Sequence, residues 1–234
     1  MRGLFVTGTD TDCGKTRVSV ALIHALRDKG LRVAPFKPVA AGAAMVDEGL
    51  RNDDALQLMA AAGGQWSYAR VNPYCLQAAV SPHLAAAVEG VTLQTGPIRE
   101  ALQVLAEDAD VLLVEGAGGW MVPLREDWCI EDLALELGLP VVLVIGLRLG
   151  CLNHARLSEA RIRASGAHLA GWIGSVVDPA MDQLEGNLRS LENLLASPCL
   201  GVLPHLQPAE HGARYLDVRA LDAVLRSDAG SGAA

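Results

Sequence analysis

The sequence predicts an α/β fold, a single doubly wound domain built on a mostly parallel sheet. Three observations carry that expectation. A glycine-bearing loop, Gly8-Thr9-Asp10-Thr11-Asp12-Cys13-Gly14-Lys15-Thr16, ends an apolar run and opens a helical pattern. Apolar runs without polar alternation then recur between helix-forming stretches, as in strands buried on both faces of a sheet. Hydrophobic residues make up 51% of the 234 positions and aromatic residues only 4%, so the core is aliphatic, mostly Leu, Val and Ala.

Each element follows from its local pattern. Gly3-Leu4-Phe5-Val6-Thr7 reads as a short buried strand, and Val18, Leu22, Ile23 and Leu26 recur at helical spacing behind the glycine loop. That helix stops near Gly30, and a second strand runs from about Arg32 to Val39. The turn-like Arg51-Asn52-Asp53-Asp54 precedes a helix through Ala55, Leu58 and Met59. Val71 to Leu76 is a short segment interrupted by Pro73, and Ser81-Pro82 starts a helix with proline in its first turn. Thr95-Gly96-Pro97 precedes the helix carrying Ile98, Leu102 and Leu105. Val111 to Val114 is fully apolar and reads as a central strand, followed by strands at Pro140 to Ile145, Ala167 to Val177 and Cys199 to Leu203. A helix around Val218 to Leu225 closes the fold. One domain spans residues 1–226, and 227–234 is expected to be a disordered tail.

Composition narrows the function. The formal net charge is −8, and Lys and Arg are scattered rather than striped. Binding to nucleic acid or to an anionic membrane needs a basic footprint, so neither partner is expected. Five cysteines stand far apart with no CxxC pair, as in a reduced, cytoplasmic protein. The chain reaches its glycine loop by Gly8, leaving no room for a secretory leader. The longest apolar stretch, Leu139 to Leu147, is too short to span a bilayer.

Strand, glycine loop, Gly14-Lys15-Thr16 and helix together make a phosphate-binding P-loop, so the fold is expected to be P-loop NTPase-like. Gly14 lets the backbone approach a phosphate, and the N–H groups around it, with Asp12, Cys13 and Arg17 alongside, form an anion nest at a helix start. Lys15 reaches the outer phosphates, and the Thr16 hydroxyl suits Mg²⁺. The spacing departs from the usual motif: five residues separate Gly8 from Gly14, and Thr9 stands where the first glycine is expected. A merely structural turn is the alternative.

In doubly wound sheets ligands gather at the carboxyl ends of the strands. The second strand delivers Lys37-Pro38 there, and the central strand delivers Glu115-Gly116-Ala117-Gly118-Gly119. Later strands deliver Gly146 to Asn153, Ser175 to Pro179, and Pro204-His205-Leu206. Glu115 follows four aliphatic residues, where a Mg²⁺ ligand or a helix-capping acid would sit. Asp53 and Asp54 are adjacent carboxylates, read either as metal-directed or as a helix cap. Lys37 is an ammonium at a strand end, able to meet transferring phosphate or a developing carboxylate charge, or else a snorkelling surface lysine. The histidines have no metal-ligand spacing and read as polar packing residues.

These motifs resemble the dethiobiotin synthetases. Gly-Thr-Asp-Thr-x-x-Gly-Lys-Thr and Lys37-Pro38-Val39 stand in the family's order. Glu48-Gly49-Leu50-Arg51-Asn52-Asp53-Asp54 resembles its acidic loop, and Glu115-Gly116-Ala117-Gly118-Gly119-Trp120 its glycine loop. Val71-Asn72-Pro73-Tyr74, Ser81-Pro82-His83, Leu149-Gly150-Cys151-Leu152-Asn153-His154 and Leu169-Ala170-Gly171-Trp172 follow suit, so the resemblance covers about Leu4 to Leu206.

The resemblance implies an ATP-dependent cyclo-ligase of biotin synthesis. Diaminopelargonic acid takes up CO₂, supplied as bicarbonate, as a carbamate; the carbamate attacks the γ-phosphate of ATP; and the neighbouring amine closes a ureido ring. Lys37, Lys15 and Thr11 are the implied catalytic set, and Thr16, Asp54 and Glu115 the implied Mg²⁺ ligands. Asp12 to Arg17, Glu115, Gly116, Ala117 and Gly118, with Ser175, Val176, Pro204, His205 and Leu206, are the implied nucleotide contacts. Ala41, Gly150, Cys151, Leu152, Asn153 and Asn187 are implied for the substrate, Gly150 to Asn153 reaching it from the other subunit of a homodimer. The chain departs from the family at Ala41, where Ser is frequent, at Ser175, where many members have a base-reading Asn, and at Asn187, where some have Tyr. Ser175 leads to the expectation of looser nucleotide choice. The competing class is a nucleotide-driven switch like the partitioning ATPases, but those carry a signature Lys where this chain has Asp10. An amidotransferase-related synthetase would need a glutaminase domain for which the chain is too short.

Overall fold

The structure, a computed structural model, describes residues 2–63, 66–206 and 211–227. Six strands form its centre: β1 (Gly3–Gly8), β2 (Val33–Phe36), β3 (Val111–Gly119), β4 (Val141–Leu147), β5 (Leu169–Val176) and β6 (Cys199–Leu203). Their spatial order is β6-β5-β4-β1-β3-β2, and every neighbouring pair is parallel. From β1 the chain first builds toward β2 and β3 and then crosses to β4. That reversal opens a crevice above the carboxyl end of β1, the place where doubly wound sheets hold ligands.

The helices are α1 (Lys15–Arg27), α2 (Asp53–Ala62), α3 (Tyr68–Val71), α4 (Pro82–Glu89), α5 (Thr95–Glu107), α6 (Ile130–Leu137), α7 (Cys151–Ala164), α8 (Leu184–Leu194) and α9 (Val218–Ser227). Successive strand residues point to opposite faces, and both faces are apolar. Leu4, Val6, Leu113, Val142 and Val144 pack with Val18, Leu22 and Leu26 of α1 and Leu221 and Leu225 of α9. Phe5, Leu112, Val114, Leu143 and Ile145 pack with Ile98 and Leu102 of α5, Leu133 of α6, Ile162 of α7 and Leu191 of α8. Each fully buried Leu or Phe contributes about 1.5–3 kcal/mol, so the central strands are clamped from both sides.

Several elements depart from the sequence pattern, and each departure has a local cause. The second strand ends at Phe36 rather than running to Val39, because the Lys37 N–H turns away to the Val71 carbonyl at 2.8 Å and Pro38 has no N–H to give. Val39–Ala40 pairs instead with Tyr74–Cys75 in a separate small parallel ladder. The central strand continues past Val114 through the glycine run to Gly119. Helix α5 takes in Thr95, Gly96 and Pro97, since a first helical turn does not need the proline N–H. Two short antiparallel hairpins, Ala44–Val46 with Gly49–Arg51 and Pro123–Arg125 with Trp128–Cys129, and helices α6 and α8 were not foreseen. Of the expected tail, Ser227 closes α9 and residues 228–234 lie outside the described residues. Among the described residues no helix is long and apolar enough to cross a membrane, and all five cysteines are free thiols.

Candidate active site

The loop between β1 and α1 is shaped by what its glycines touch. A Cβ at Gly8 would lie 2.4 Å from the Cys13 sulfur, so the glycine is needed at the strand end, one position before the usual motif places it. Cys13 is fully buried beneath the loop. Gly14 has φ +90°, and a Cβ there would lie 2.2 Å from Ser175 Oγ and 2.9 Å from Ser175 Cβ. The loop therefore rests directly on the end of β5.

Lys15 is 7% exposed and folds back over the loop, its Nζ donating to the Asp10 carbonyl at 3.0 Å. The Asp10 carboxylate accepts from the Thr11 N–H at 2.8 Å and pairs with Arg148 at 2.7 Å, tying the loop to the segment before α7.

Beside the loop, four side chains from four elements converge. Lys37 Nζ, 3% exposed, stands 2.6 Å from Glu115 Oε1 and 2.9 Å from Asp54 Oδ2. Thr16 Oγ1 lies 2.7 Å from Asp54 Oδ1 and 3.1 Å from Glu115 Oε1. Asp54 is half-buried in the first turn of α2, whose N-cap is the Asn52 side chain accepting from the Ala55 N–H. Asn52, not Asp53, is thus the cap, and Asp54 is left to face the cluster. Burial pulls the Lys37 ammonium toward a lower pKa, but the Glu115 and Asp54 carboxylates outweigh it and the net direction is upward. Burial likewise pushes the Asp54 carboxyl up, and Lys37 with the Thr16 hydroxyl brings it below its ordinary value.

Glu115 is fully buried, and its Oε2 has no hydrogen-bond partner. An ionised oxygen in that state is costly unless a cation or donor meets it. With the Thr16 hydroxyl and the Asp54 carboxylate it makes an all-oxygen donor set, the kind Mg²⁺ takes with water and substrate phosphates completing its shell. Among the described residues no group of three or more His, Cys, Asp and Glu is placed to hold a metal ion, and the donors here are two carboxylates and a hydroxyl. The residues present fit Mg²⁺.

A cavity of about 740 Å³ opens over the cluster. Thr11, Asp12, Gly14, Lys15, Thr16 and Arg17 line it, with Lys37, Ala41, Asp54, Ala117, Gly118 and His205. Glu115 and Gly116 lie buried behind that wall, and Val176, Leu206 and Cys151 are core side chains. Ser175 is 2% exposed under the loop, while Pro204 is half-buried after β6. Gly150, Leu152, Asn153 and Asn187 do not line the cavity of a single chain; they stand at the start of α7 and on α8. Sequence reasoning missed Ala40, Ala79, Val80 and Val122, an apolar wall with no motif to mark it; Val177, from the segment expected at the ligand end, also lines the cavity. It also missed Gln57, whose spacing of one helical turn from Asp54 was the available signal.

A P-loop resting at the switch point of a parallel sheet, with an ammonium and two carboxylates at its side, defines a P-loop nucleotide-binding protein. Solved structures agree on the fold. The septum site-determining protein MinD of Pyrococcus horikoshii, complexed with Mg-ADP, superposes with a TM-score of 0.55 at 15% identity, covering 98% of this chain and 97% of that one. A ParA family ATPase from Chlorobium tepidum gives 0.55 at 12% identity, covering 97% and 98%. A family model described as an AAA domain matches residues 2–211. Among curated relatives, the ATP-dependent dethiobiotin synthetase of Pseudomonas paraeruginosa is 49% identical over 224 residues, 94% of this chain and 98% of that protein. That of Xanthomonas oryzae is 50% identical over 210 residues, 90% of this chain and 94% of the relative. The chain belongs to the ATP-dependent dethiobiotin synthetase family.

Proposed function

We propose that this protein uses ATP and Mg²⁺ to join CO₂ to 7,8-diaminopelargonic acid and close the ureido ring of dethiobiotin, a step of biotin synthesis. The observation that carries the mechanism is the convergence of Lys37, Thr16, Asp54 and Glu115 beside the P-loop. One substrate amine adds to CO₂ and loses a proton, giving a carbamate. A carbamate oxygen then attacks the γ-phosphorus and ADP leaves, giving a carbamic–phosphoric mixed anhydride. The second amine attacks the carbonyl carbon and gives up a proton, and inorganic phosphate departs as the ring closes.

This chemistry asks the protein for alignment and charge neutralisation rather than a covalent intermediate. Lys15 and Lys37 supply positive charge from two sides of the cavity, Lys15 toward the outer phosphates and Lys37 toward the carbamate and the transferring phosphoryl group. Thr11, on the same wall, contacts the phosphate and carbamate. Thr16, Asp54 and Glu115 would hold Mg²⁺, which when bound neutralises charge on the phosphate oxygens. The N–H groups of Asp12 to Thr16 cradle the phosphates, and the base side of the site is formed around Val177, Pro204 and His205.

Ala41 and the apolar wall of Ala40, Ala79, Val80 and Val122 suit the substrate's methylene chain. Its carboxylate is assigned to Asn187 and to the α7 start, Gly150 to Asn153, of a second copy, so the working unit is a homodimer. Two features support this: these residues stand outside the single-chain cavity, and Leu149 beside them is 95% exposed. The free cysteines and net negative charge suit a cytoplasmic setting. Incubation with ATP, Mg²⁺, bicarbonate and diaminopelargonic acid, read by mass spectrometry for dethiobiotin, tests the reaction. Nucleotide binding without dethiobiotin would overturn it.

A further inference from the structure

A closed ring of hydrogen bonds joins the site to a junction behind it. Tyr68, the first residue of α3, places its hydroxyl between the elements that carry Lys37 and Asp54. The phenol accepts from the Asn52 N–H at 2.7 Å and donates to Asn72 Oδ1 at 3.0 Å. Asn72, 2% exposed, donates from Nδ2 to the Lys37 carbonyl at 2.7 Å and to the Tyr74 carbonyl at 3.1 Å. The Cys75 thiol stands 3.2 Å from the phenol oxygen, a second donor to it. Every polar atom of both side chains thereby has a partner. From Asn52 the path continues two residues to Asp54, and from Asp54 Oδ2 back to Lys37 Nζ at 2.9 Å. Lys37 is thus held at both its carbonyl and its ammonium by one loop of bonds.

This arrangement answers a mechanical problem in the fold. The Lys37 backbone has just left the sheet, and Asn52 lies beyond the Ala44–Arg51 hairpin, so neither backbone is held by the β2–β3 ladder. Asn52 has a second anchor, its Nδ2 donating to the Ala41 carbonyl at 3.3 Å. The Arg51 guanidinium lies 4.3 Å above the Tyr68 ring and holds the phenol from its other side. A site whose supporting bonds are complete keeps its charged groups in register.

We infer that Tyr68 and Asn72 are positioning residues that set the distance between Lys37 and Asp54, and with it the cation affinity and turnover of the site. The inference rests on the proposed reaction for its turnover readout only. Groups of this kind, behind the ligands of a metal, change affinity or activity by about 10–100-fold when lost.

The test compares Tyr68→Phe with Glu159→Gln. Glu159 anchors a distant buried junction, accepting from the Ser197 N–H, the Ser197 hydroxyl and the Ala196 N–H, and has no part in the site. Both variants remove hydrogen bonds from a buried junction. For each, the melting temperature, kcat, the Mg²⁺ concentration for half-maximal rate, and calorimetric binding of ATP with and without Mg²⁺ are measured. The expected result is a kcat at least tenfold lower in Tyr68→Phe, a raised Mg²⁺ requirement and a reduced Mg²⁺ enhancement of ATP binding, none of which appears in Glu159→Gln. Wild-type values in a folded Tyr68→Phe protein overturn the inference, as do parallel losses in both variants. If Tyr68→Phe does not fold, Asn72→Ser is read by the same criteria. Wild-type protein that makes no dethiobiotin counts against the proposed reaction alone, because the calorimetric arm still tests the positioning role.

Discussion

Lys37 Nζ lies 2.6 Å from Glu115 Oε1, and both side chains are almost wholly buried: 3% of one and none of the other is exposed. The two arrive from different strands, Lys37 where β2 leaves the sheet and Glu115 from within β3. A buried ion pair of this kind adds little net stability, because desolvating both charges offsets their attraction. Removing one partner is a different matter, since it strands the other in a low-dielectric interior. Under the proposed reaction, the pair keeps an ammonium beside the phosphates.

Replacing Lys37 by Gln should therefore have two separable effects. Turnover should fall by about 10²–10³, the usual loss when one electrostatic donor to a developing charge is removed. Stability should fall as well, by up to about 3–5 kcal/mol, because Glu115 loses its buried counter-charge. Rate measurements on folded protein, below the variant's melting temperature, separate the two. Retention of most of the wild-type kcat would remove Lys37 from the chemistry.

Glu115→Gln and Asp54→Asn keep shape and remove charge, one from each side of the proposed Mg²⁺ position. Both should raise the Mg²⁺ concentration needed for half-maximal rate, and both should weaken ATP binding more with Mg²⁺ present than without it. Glu115→Gln should have the larger effect, because its Oε2 is the buried oxygen without a partner. Calorimetry with and without Mg²⁺ checks this. An unchanged Mg²⁺ dependence in both variants would leave the carboxylates as partners of Lys37 and Thr16 only.

The pH dependence of stability should carry the same signature. The folded Asp54 carboxyl titrates below its ordinary value of 3.8, so its contribution is fully present above that value. It is lost as pH falls from there through the depressed folded pKa. Lys37, raised above 10.5, behaves oppositely: its contribution is present below that value and lost as pH rises through the folded pKa. Melting temperatures recorded from roughly pH 2 to 5 should fall less steeply in Asp54→Asn than in the wild type. Superimposable slopes would mean that other carboxylates govern the acid transition.

Much of this architecture was legible in the chain. Strands without a polar residue, such as Val111 to Val114, have one plausible place in an α/β fold, and the Gly14-Lys15-Thr16 turn fixes which end of the sheet binds. The P-loop, Lys37 and Glu115 were legible as groups at strand ends and Asp54 as one of two adjacent carboxylates opening a helix, and the structure brings Lys37, Thr16, Asp54 and Glu115 together. What could not be read depends on distance through space. Nothing in the local sequence marks Tyr68 and Asn72 as partners of Asn52 and Lys37, because the contacts span 16 and 35 residues. The apolar wall of Ala40, Ala79, Val80 and Val122 is silent for another reason: small apolar residues look the same whether they line a cavity or fill a core. The strand break at Lys37 was signalled by Pro38, but only the Val71 carbonyl shows where the freed N–H goes.

Nucleotide choice should be looser than strict ATP selectivity, though Ser175 does not produce this by offering its hydroxyl to several bases. That hydroxyl lies under Gly14, in a side chain only 2% exposed, and its place against the loop leaves it supporting the phosphate cradle. On the base side the cavity is lined by Val177, which has no polar side-chain atom, and by His205, whose Nδ1 lies 3.4 Å from the Val176 carbonyl. Neither supplies the paired donor and acceptor of an amide, and strong discrimination requires site groups that a wrong base leaves unpaired. The kcat/KM values for ATP, CTP and GTP at fixed Mg²⁺ should therefore lie within about a hundredfold of one another. Ser175→Ala should leave their ratios unchanged while altering all three values together. A larger preference for ATP in the wild type would show that backbone groups around Pro204 to Leu206 read the base. A ratio that moves with Ser175→Ala would return the reading role to that hydroxyl.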